Sequence, residues 1–340
     1  MKKVSIKDVA LKAGVSIASV SYVLNNKIDS RIGKETVDKV KKAAQELNYR
    51  PNNAAKSLKT QRTHIIGLIV ADIANPYFSQ IARIIENEAN KKEYTVIIGS
   101  SDENKEKFEG LINMFCDRQA DGLIIAPVEG AEDCLQKLQR QNMPFVFIDR
   151  YLPQVAADSI QINNYDISYS VTEHLIQNGR RNIVLVAYTT TLHHLLQRTQ
   201  GFTDALQKHL LECNAQSILS INKDAIDADV DAGFINLFNS SAVPDAVFFT
   251  SNKLAVAGLK KLMKLGIEIP KDLAVVAFDE TEAYELFSVP LSFVRQPLAG
   301  IGTTAVTLLH NKITDHLLPV QNIILEAELH VSRSSELITN

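Results

Sequence analysis

The stretch SIKDVALKAGVSIASVSYVLNN, Ser5 to Asn26, decides how the chain begins. Ser5 is a helix-capping residue, and Asp8 stands three places on, the spacing of a capping box. Ile6, Val9, Ala10 and Ala13 then recur at helical spacing and define one apolar face. Gly14 follows, where a tight turn needs a positive φ. Val15 turns into the core and Ser16 can cap a second helix, from which Val20, Val23 and Leu24 point inward. Ile17, Ala18, Ser21 and Tyr22 point away. Two short helices joined by a glycine turn make a helix-turn-helix. The small residues at the leading end of the second helix then have a physical reason. A helix entering the major groove of DNA approaches base edges closely, and bulky side chains there would hold it off.

Charge supports this reading. Residues 1–62 carry fourteen Lys and Arg against five Asp and Glu, a net +9, while the remaining residues carry a net −12. A small basic module attached to a larger acidic body is what a polyanion-binding head looks like. The chain of 340 residues, 46% hydrophobic and 22% charged, has room for two or three domains. No apolar run approaches the ~20 residues of a membrane helix. The charged start, Met1-Lys2-Lys3, lacks the apolar core of a secretory signal, so a cytoplasmic location is expected. Cys116, Cys134 and Cys213 are odd in number and have no CxxC spacing, which argues against a disulfide frame or a zinc site. No metal and no cofactor is expected.

A third helix is expected from about Lys34 to Leu47, with Val37, Val40, Ala43, Ala44 and Leu47 on one face. The segment NYRPNNAAKSLKTQRT follows. Pro51 can start a helix, and Asn52 to Leu58 is too short to be stable alone in water. From Ile65 the chain alternates apolar runs with helical stretches. The runs are Ile65–Val70, Tyr94–Gly99, Gly122–Ala126 and Phe145–Ile148, then Asn182–Ala187, Ser217–Ile221, Ala246–Thr250 and Leu273–Phe278. Continuous apolar runs between helices argue for parallel sheets covered on both faces, and two such series argue for two similar lobes.

These segments resemble the lactose-repressor (LacI/GalR-type) family of transcription regulators. The head and LNYRPNNAAKSLK carry the likeness first. GLIVADIANPYF, DGLIIAP, TEHLIQNG, QRTQGF, IPKDLAVVAFDE and RQPLAGIG extend it over nearly the whole chain. The resemblance implies an α/β protein: a helix-turn-helix head on a two-lobed, doubly wound parallel-sheet body of the type I periplasmic-binding-protein kind. The implied domains are a head at 1–48, a hinge helix and linker at 49–62, and an effector-binding and dimerisation body at 63–340. Within the body, lobe 1 is expected at about 63–161 and 292–321, and lobe 2 at about 162–290 and 322–340.

The resemblance also implies site residues. Ile17, Ala18 and Tyr22 would lie in the major groove, with Ser5, Ser16, Ser21 and Asn25 in the same DNA-facing set. Asn53, Ala55, Lys56 and Leu58 would belong to a hinge helix in the minor groove, with Leu58 as a wedge between base steps. Tyr22 departs from the family, where Arg or His is common; Arg reads guanine through two hydrogen bonds and Tyr cannot. In the body, NNYDIS at 163–168 and Gly179-Arg180 also depart from the usual pattern.

In open α/β sheets, ligands bind beyond the carboxyl ends of the strands. Asp72 and Phe78 follow the first strand of this body, Asp149 and Arg150 the fourth, Asn252 and Asp279 two strands of the second series. Arg198 and Gln296 join them by the resemblance. Asp, Asn and Arg can each bond two vicinal hydroxyls, so a sugar or sugar derivative is the expected effector. Arg150, Arg198 and Lys253 leave room for an acidic or phosphorylated one. His193 and His194 are expected at the surface or behind the ligand.

The reading that results is a homodimeric repressor of carbohydrate-use genes bound to a pseudo-palindromic double-stranded DNA operator, with no membrane partner. Its alternative is a global catabolite regulator with a phosphorylated carrier protein as corepressor. An enzyme is not expected: there is no Walker loop, GxGxxG fingerprint, HExxH or GxSxG elbow.

Overall fold

The computed structural model describes residues 4–24, 32–49, 62–214 and 216–336. Asn25, Asn53, Ala55, Lys56 and Leu58, and with them the expected hinge helix, lie outside the described residues. The chain divides into two compact units, Met1–Thr63 and His64–Asn340.

In the first unit, α1 (Ile6–Ala13), α2 (Ile17–Leu24) and α3 (Lys34–Glu46) pack around Val9, Ala10, Val20, Val23, Val37, Val40, Ala43 and Ala44. The Asp8 carboxylate accepts hydrogen bonds from the Ser5 backbone N–H at 2.8 Å and from Ser5 Oγ at 2.7 Å. Gly14 ends α1 at φ +67°, a conformation that costs a residue with a Cβ about 1 kcal/mol. Ser16 Oγ accepts from the Ser19 N–H at 3.1 Å and caps α2.

The second unit alternates strand and helix: β1 (Ile65–Val70), α4 (Pro76–Lys91), β2 (Thr95–Ser100), α5 (Lys105–Asp117), β3 (Gly122–Ile125), α6 (Glu132–Arg140), β4 (Phe145–Ile148) and β5 (Asp158–Ile162). The second series is α7 (Asn164–Gln177), β6 (Ile183–Tyr188), α8 (His193–Lys208), β7 (Ile218–Ile221), α9 (Ile226–Phe238), β8 (Ala246–Phe249), α10 (Asn252–Leu265) and β9 (Ala274–Phe278). The chain closes with β10 (Ser292–Arg295), α11 (Leu298–Thr314), β11 (Asn322–Leu325) and β12 (Glu328–His330). One sheet runs β11-β5-β4-β3-β1-β2, the other β12-β10-β9-β8-β6-β7. All neighbours are parallel except β10 and β12. The β3, β4, β8 and β9 strands are buried along their whole length, as a sheet covered by helices on both faces requires.

The lobe boundaries differ from the sequence expectation. The 292–295 strand, expected in lobe 1, is β10 and pairs with β9 in the second sheet. The 322–325 strand, expected in lobe 2, is β11 and pairs with β5 in the first. Ile162 completes β5 and stays with lobe 1. The backbone therefore passes between lobes three times, near residues 163, 296 and 326. Asn163 ties the first crossing to the third: its N–H donates to Leu325 O at 3.2 Å, and its Oδ1 accepts from the Ala327 N–H at 2.9 Å. In the second lobe α7 and α8 lie backbone to backbone. A Cβ at Gly201 would meet Tyr165 O at 2.3 Å, so the close approach needs glycine there.

Candidate functional site

Between the lobes, at the carboxyl ends of both sheets, lies a cavity of about 320 Å³. Asp149 follows β4 and Asp279 follows β9, equivalent places in the two lobes. Both are buried, and both hold left-handed backbone at φ +65° and +66°. For a non-glycine residue that conformation costs on the order of 1 kcal/mol and persists only where surrounding contacts enforce it.

In lobe 1, Tyr77 Oη donates to Asp149 Oδ1 at 3.1 Å. Arg150 forms a fork on Glu103, with contacts of 2.8 and 2.7 Å, and also reaches Asp149 Oδ2 at 3.4 Å. Burial alone would discharge Arg150, but Glu103 and Asp149 outweigh it and hold the guanidinium more firmly protonated than usual. Burial likewise works against the Glu103 charge, yet Arg150 keeps that carboxyl below its ordinary range. Burial and the Asp149 charge push the Tyr77 phenol far up, so it serves as a neutral donor.

In lobe 2, Arg198 sits in the second turn of α8, buried. Its Nε donates to Asn164 Oδ1 at 2.8 Å and an Nη to Thr250 O at 2.7 Å, while its guanidinium lies 3.5 Å from the centre of the Phe278 ring. Among the described residues it makes no direct ion pair. Burial lowers its pKa, against the pull of Asp279 and Asp149. Gln296 Nε2 donates to Asp279 Oδ1 at 2.6 Å. Burial raises the Asp279 carboxyl above its ordinary value, although Arg198 and Gln296 oppose the shift. Burial, with Arg150 and Arg198 nearby, drives the His194 imidazole far below its ordinary value and leaves it neutral. Three buried side-chain atoms here, Asn252 Oδ1, Gln296 Oε1 and His194 Nδ1, have no hydrogen-bond partner among the described residues.

Several side chains span the gap. Lys253 of lobe 2 pairs with Asp72 of lobe 1. Asn252 Nδ2 donates to Asn75 Oδ1 at 2.8 Å. Glu129, after β3, accepts from Thr190 Oγ1 at 2.6 Å and Thr191 Oγ1 at 2.9 Å. Lys223 Nζ donates to Glu103 O at 3.3 Å.

Of the eight residues expected at the ligand, Asp72, Phe78, Asp149, Arg150, Arg198, Asp279 and Gln296 line the cavity. Asn252 stands behind the lining, at the first position of α10, where Ser251 rather than Asn252 is the cap. Tyr77 lines it beside the expected Phe78, and Glu103, Glu129, Tyr188 and Lys223 line it without having been singled out from sequence. Glu129, Tyr188 and Lys223 stand at or just beyond the ends of β3, β6 and β7, the place where a strand-end rule looks for ligand contacts. His194 is not at the surface, as the sequence reading had it as one option: it is 4% exposed and faces the cavity, because the first turn of α8 points inward. Arg180 bridges Asp245 O and Pro270 O at 3.2 and 3.1 Å, away from the site. On α2, Ile17 and Tyr22 are 44% and 51% exposed and Ala18 is exposed beside them, with Ser5 and Ser16 also exposed and Ser21 half-buried.

Comparison with known proteins places this geometry. Residues 5–52 match the model of bacterial regulatory proteins of the lacI family, and residues 172–335 match a periplasmic binding protein-like domain. The catabolite control protein A of Staphylococcus xylosus is 32% identical over 324 residues, 95% of this chain and 96% of that protein. The HTH-type transcriptional repressor PurR of Aliivibrio fischeri (strain MJ11) is 30% identical over 312 residues, 92% of each. Among solved structures, the lac repressor dimer bound to operator and the anti-inducer ONPF superposes with a TM-score of 0.85 at 24% identity, over 98% of this chain and all of that one. A complex of the transcriptional regulator CelR with cellobiose gives 0.73 at 25% identity, again over 98% of this chain and all of that one. The chain belongs to the lacI family: it is a DNA-binding transcriptional regulator of the repressor type, and not an enzyme. No helix among its described residues is long and apolar enough to cross a membrane.

Proposed function

We propose that two copies of this chain repress carbohydrate-use genes from a pseudo-palindromic operator, and that a polyhydroxylated small molecule between the lobes controls their hold on it. The observation that carries this reading is the chemistry of the cavity. Asp149 and Asp279 converge on it from equivalent strand ends, and the free acceptors Asn252 Oδ1 and Gln296 Oε1 stand close behind. Such a set wants a ligand rich in hydrogen-bond donors. Two of the cavity's cations are paired, Arg150 with Glu103 and Lys253 with Asp72, which favours a neutral sugar over a phosphorylated one, and Arg198 and Lys223 are the cationic lining residues with no direct ion pair among the described residues. The solved relative carrying cellobiose lends the same class support.

At the DNA end, α2 is the element for the major groove, with Ile17, Ala18 and Tyr22 toward the bases and Ser5, Ser16, Ser21 and Asn25 beside the backbone. Asn53, Ala55, Lys56 and Leu58 form the minor-groove hinge. A hinge helix too short to persist alone is lost by a small displacement of the lobe that carries it. A coupling of ~1–3 kcal/mol then changes operator affinity 5- to 150-fold.

The identity with a catabolite control protein favours a second reading, in which a phosphorylated carrier protein is the corepressor. A thermal-shift screen separates the two. Neutral sugars, sugar acids, sugar phosphates and purines are tested against the full chain. A ligand at 100 times its Kd adds ~2.7 kcal/mol to stability. A neutral-sugar hit that alters operator binding supports the first reading. Silence across all classes, with operator binding intact, supports the second.

A further inference from the structure

The recognition surface of α2 has an unusual chemistry. Its sequence, IASVSYVL, holds no Arg, Lys, Asn, Gln, Asp or Glu. Those are the side chains that read guanine, adenine and cytosine through hydrogen bonds at the major-groove edge. Val20 and Val23 are buried against α1 and α3. Of the side chains that point outward, Ser21 is half-buried and set with the residues beside the phosphate backbone, which leaves Ile17, Ala18 and Tyr22, all exposed, with Ala18 and Tyr22 neighbours at a spacing of four. Together they offer a sec-butyl group, a methyl group and a phenol ring with one hydroxyl. The major-groove feature that matches exposed apolar groups is the C5-methyl of thymine.

We propose that α2 reads its operator half-site through thymine methyl groups, with Ile17 and Ala18 as the principal specificity-determining residues and Tyr22 covering a further methyl or sugar edge. The inference rests on the placement of α2 in the major groove given above. Exposed basic residues elsewhere in the head, Lys7 and Lys34 among them, supply affinity for phosphate without base preference. Base discrimination by α2 is therefore apolar, and half-sites carry T·A pairs under its first turn.

The experiment starts from a duplex recovered by selection of a random DNA pool on the full-length protein. Each thymine of the half-site is then replaced by deoxyuridine, which removes only the methyl. The expected loss is about fourfold in affinity per contacted methyl, the worth of one buried carbon. In the Ile17→Ala protein, the same replacement at the Ile17-facing position costs less than twofold, because the partner surface is already gone. Ile17 is exposed and lies outside the head's core, so the variant keeps its fold, which its thermal unfolding checks. The Tyr22→Arg protein should recruit a guanine to the selected half-site. Equal binding of the deoxyuridine duplex overturns the proposal. So does a half-site whose affinity rests on a guanine N7 and collapses with 7-deazaguanine while the uracil exchange is silent. Selection that enriches no sequence at all sinks the placement of α2 itself, and the proposal with it.

Discussion

The two lobes place the same groups at the same strand ends and leave them in different states. In lobe 1, Asp149 is met by Tyr77 and Arg150, and Arg150 is neutralised by Glu103. In lobe 2, Asp279 is met by Gln296, and among the described residues Arg198 is met by an amide, a carbonyl and the Phe278 ring. The buried atoms facing or backing the cavity that have no hydrogen-bond partner among the described residues, Asn252 Oδ1, Gln296 Oε1 and His194 Nδ1, all belong to lobe 2 or to the crossing that leaves it. A buried acceptor without a donor costs about 1–3 kcal/mol. In the proposed function, lobe 2, with its unpartnered atoms, would supply most of the discriminating contacts to the effector, and lobe 1, whose Asp149 and Arg150 already have partners, would face them across the cavity.

The sharpest way to break this comparison is to remove the lobe 2 arginine. Arg198→Ala leaves Asp279 buried without its nearby cation. It should weaken effector at least 100-fold by calorimetric titration and cost about 3 kcal/mol in urea unfolding. Next in size is Gln296→Leu, which deletes the orphan acceptor Oε1 and with it the Nε2–H donor to Asp279 Oδ1, a gain and a loss that offset in the unliganded protein. Effector affinity should fall 10- to 100-fold while the stability of the unliganded protein changes by less than about 1 kcal/mol. If a Tyr77→Phe protein in lobe 1 lost more affinity than Gln296→Leu, the asymmetry would be wrong.

Charge gives a third test. The Asp279 carboxyl is raised by burial, so within the window from its ordinary value, 3.8, up to the raised one, the folded state binds more protons than the unfolded. Stability contributed by this group is therefore present below that window and lost as pH rises through it. Asp279→Asn should stabilise the unliganded protein, and the gain in Tm over wild type should grow as pH climbs through the window. A gain that shrinks with rising pH would reverse the assigned sign.

A smaller effect belongs to the bridging contacts. Glu129→Gln keeps the shape but loses the charge that Thr190 and Thr191 donate to across the gap. Effector dissociation should quicken about fivefold by stopped flow, the worth of one charged hydrogen bond at a half-exposed site. The smallest change is expected on deleting residues 1–62. The body forms its own compact unit, so effector affinity should stay within about twofold while operator binding vanishes.

Sequence reading located what local pattern controls. The apolar runs gave β1, β3 and β4 and most of their counterparts in the second lobe, because buried parallel strands are apolar on both faces. It missed β5, whose sequence DSIQI does not look buried. That strand is nevertheless buried throughout, with Asp158 Oδ1 accepting from the Gln321 N–H and Ser159 Oγ donating to Asn322. Those partners lie 163 residues away, where no local pattern reaches. The exchange of β10 and β11 between lobes has the same origin, since a strand's own residues do not state which sheet it will join. Seven of the eight expected ligand residues line the cavity because strand ends dictate where polar residues must go. His194 and Glu103 depend on how α8 and the β2–α5 loop turn in space.

The central claim is that occupancy of the inter-lobe cavity and the grip on DNA are one linked equilibrium. The measurement that tests it most directly is a pair of titrations on the full chain: ligand into protein with and without operator, and operator into protein with and without ligand. Linkage requires the two factors to be equal. The account predicts a shared factor of at least tenfold, reduced toward one in Gln296→Leu at the same ligand concentration. Ligand that binds with the same affinity whether or not the protein holds its operator would contradict it.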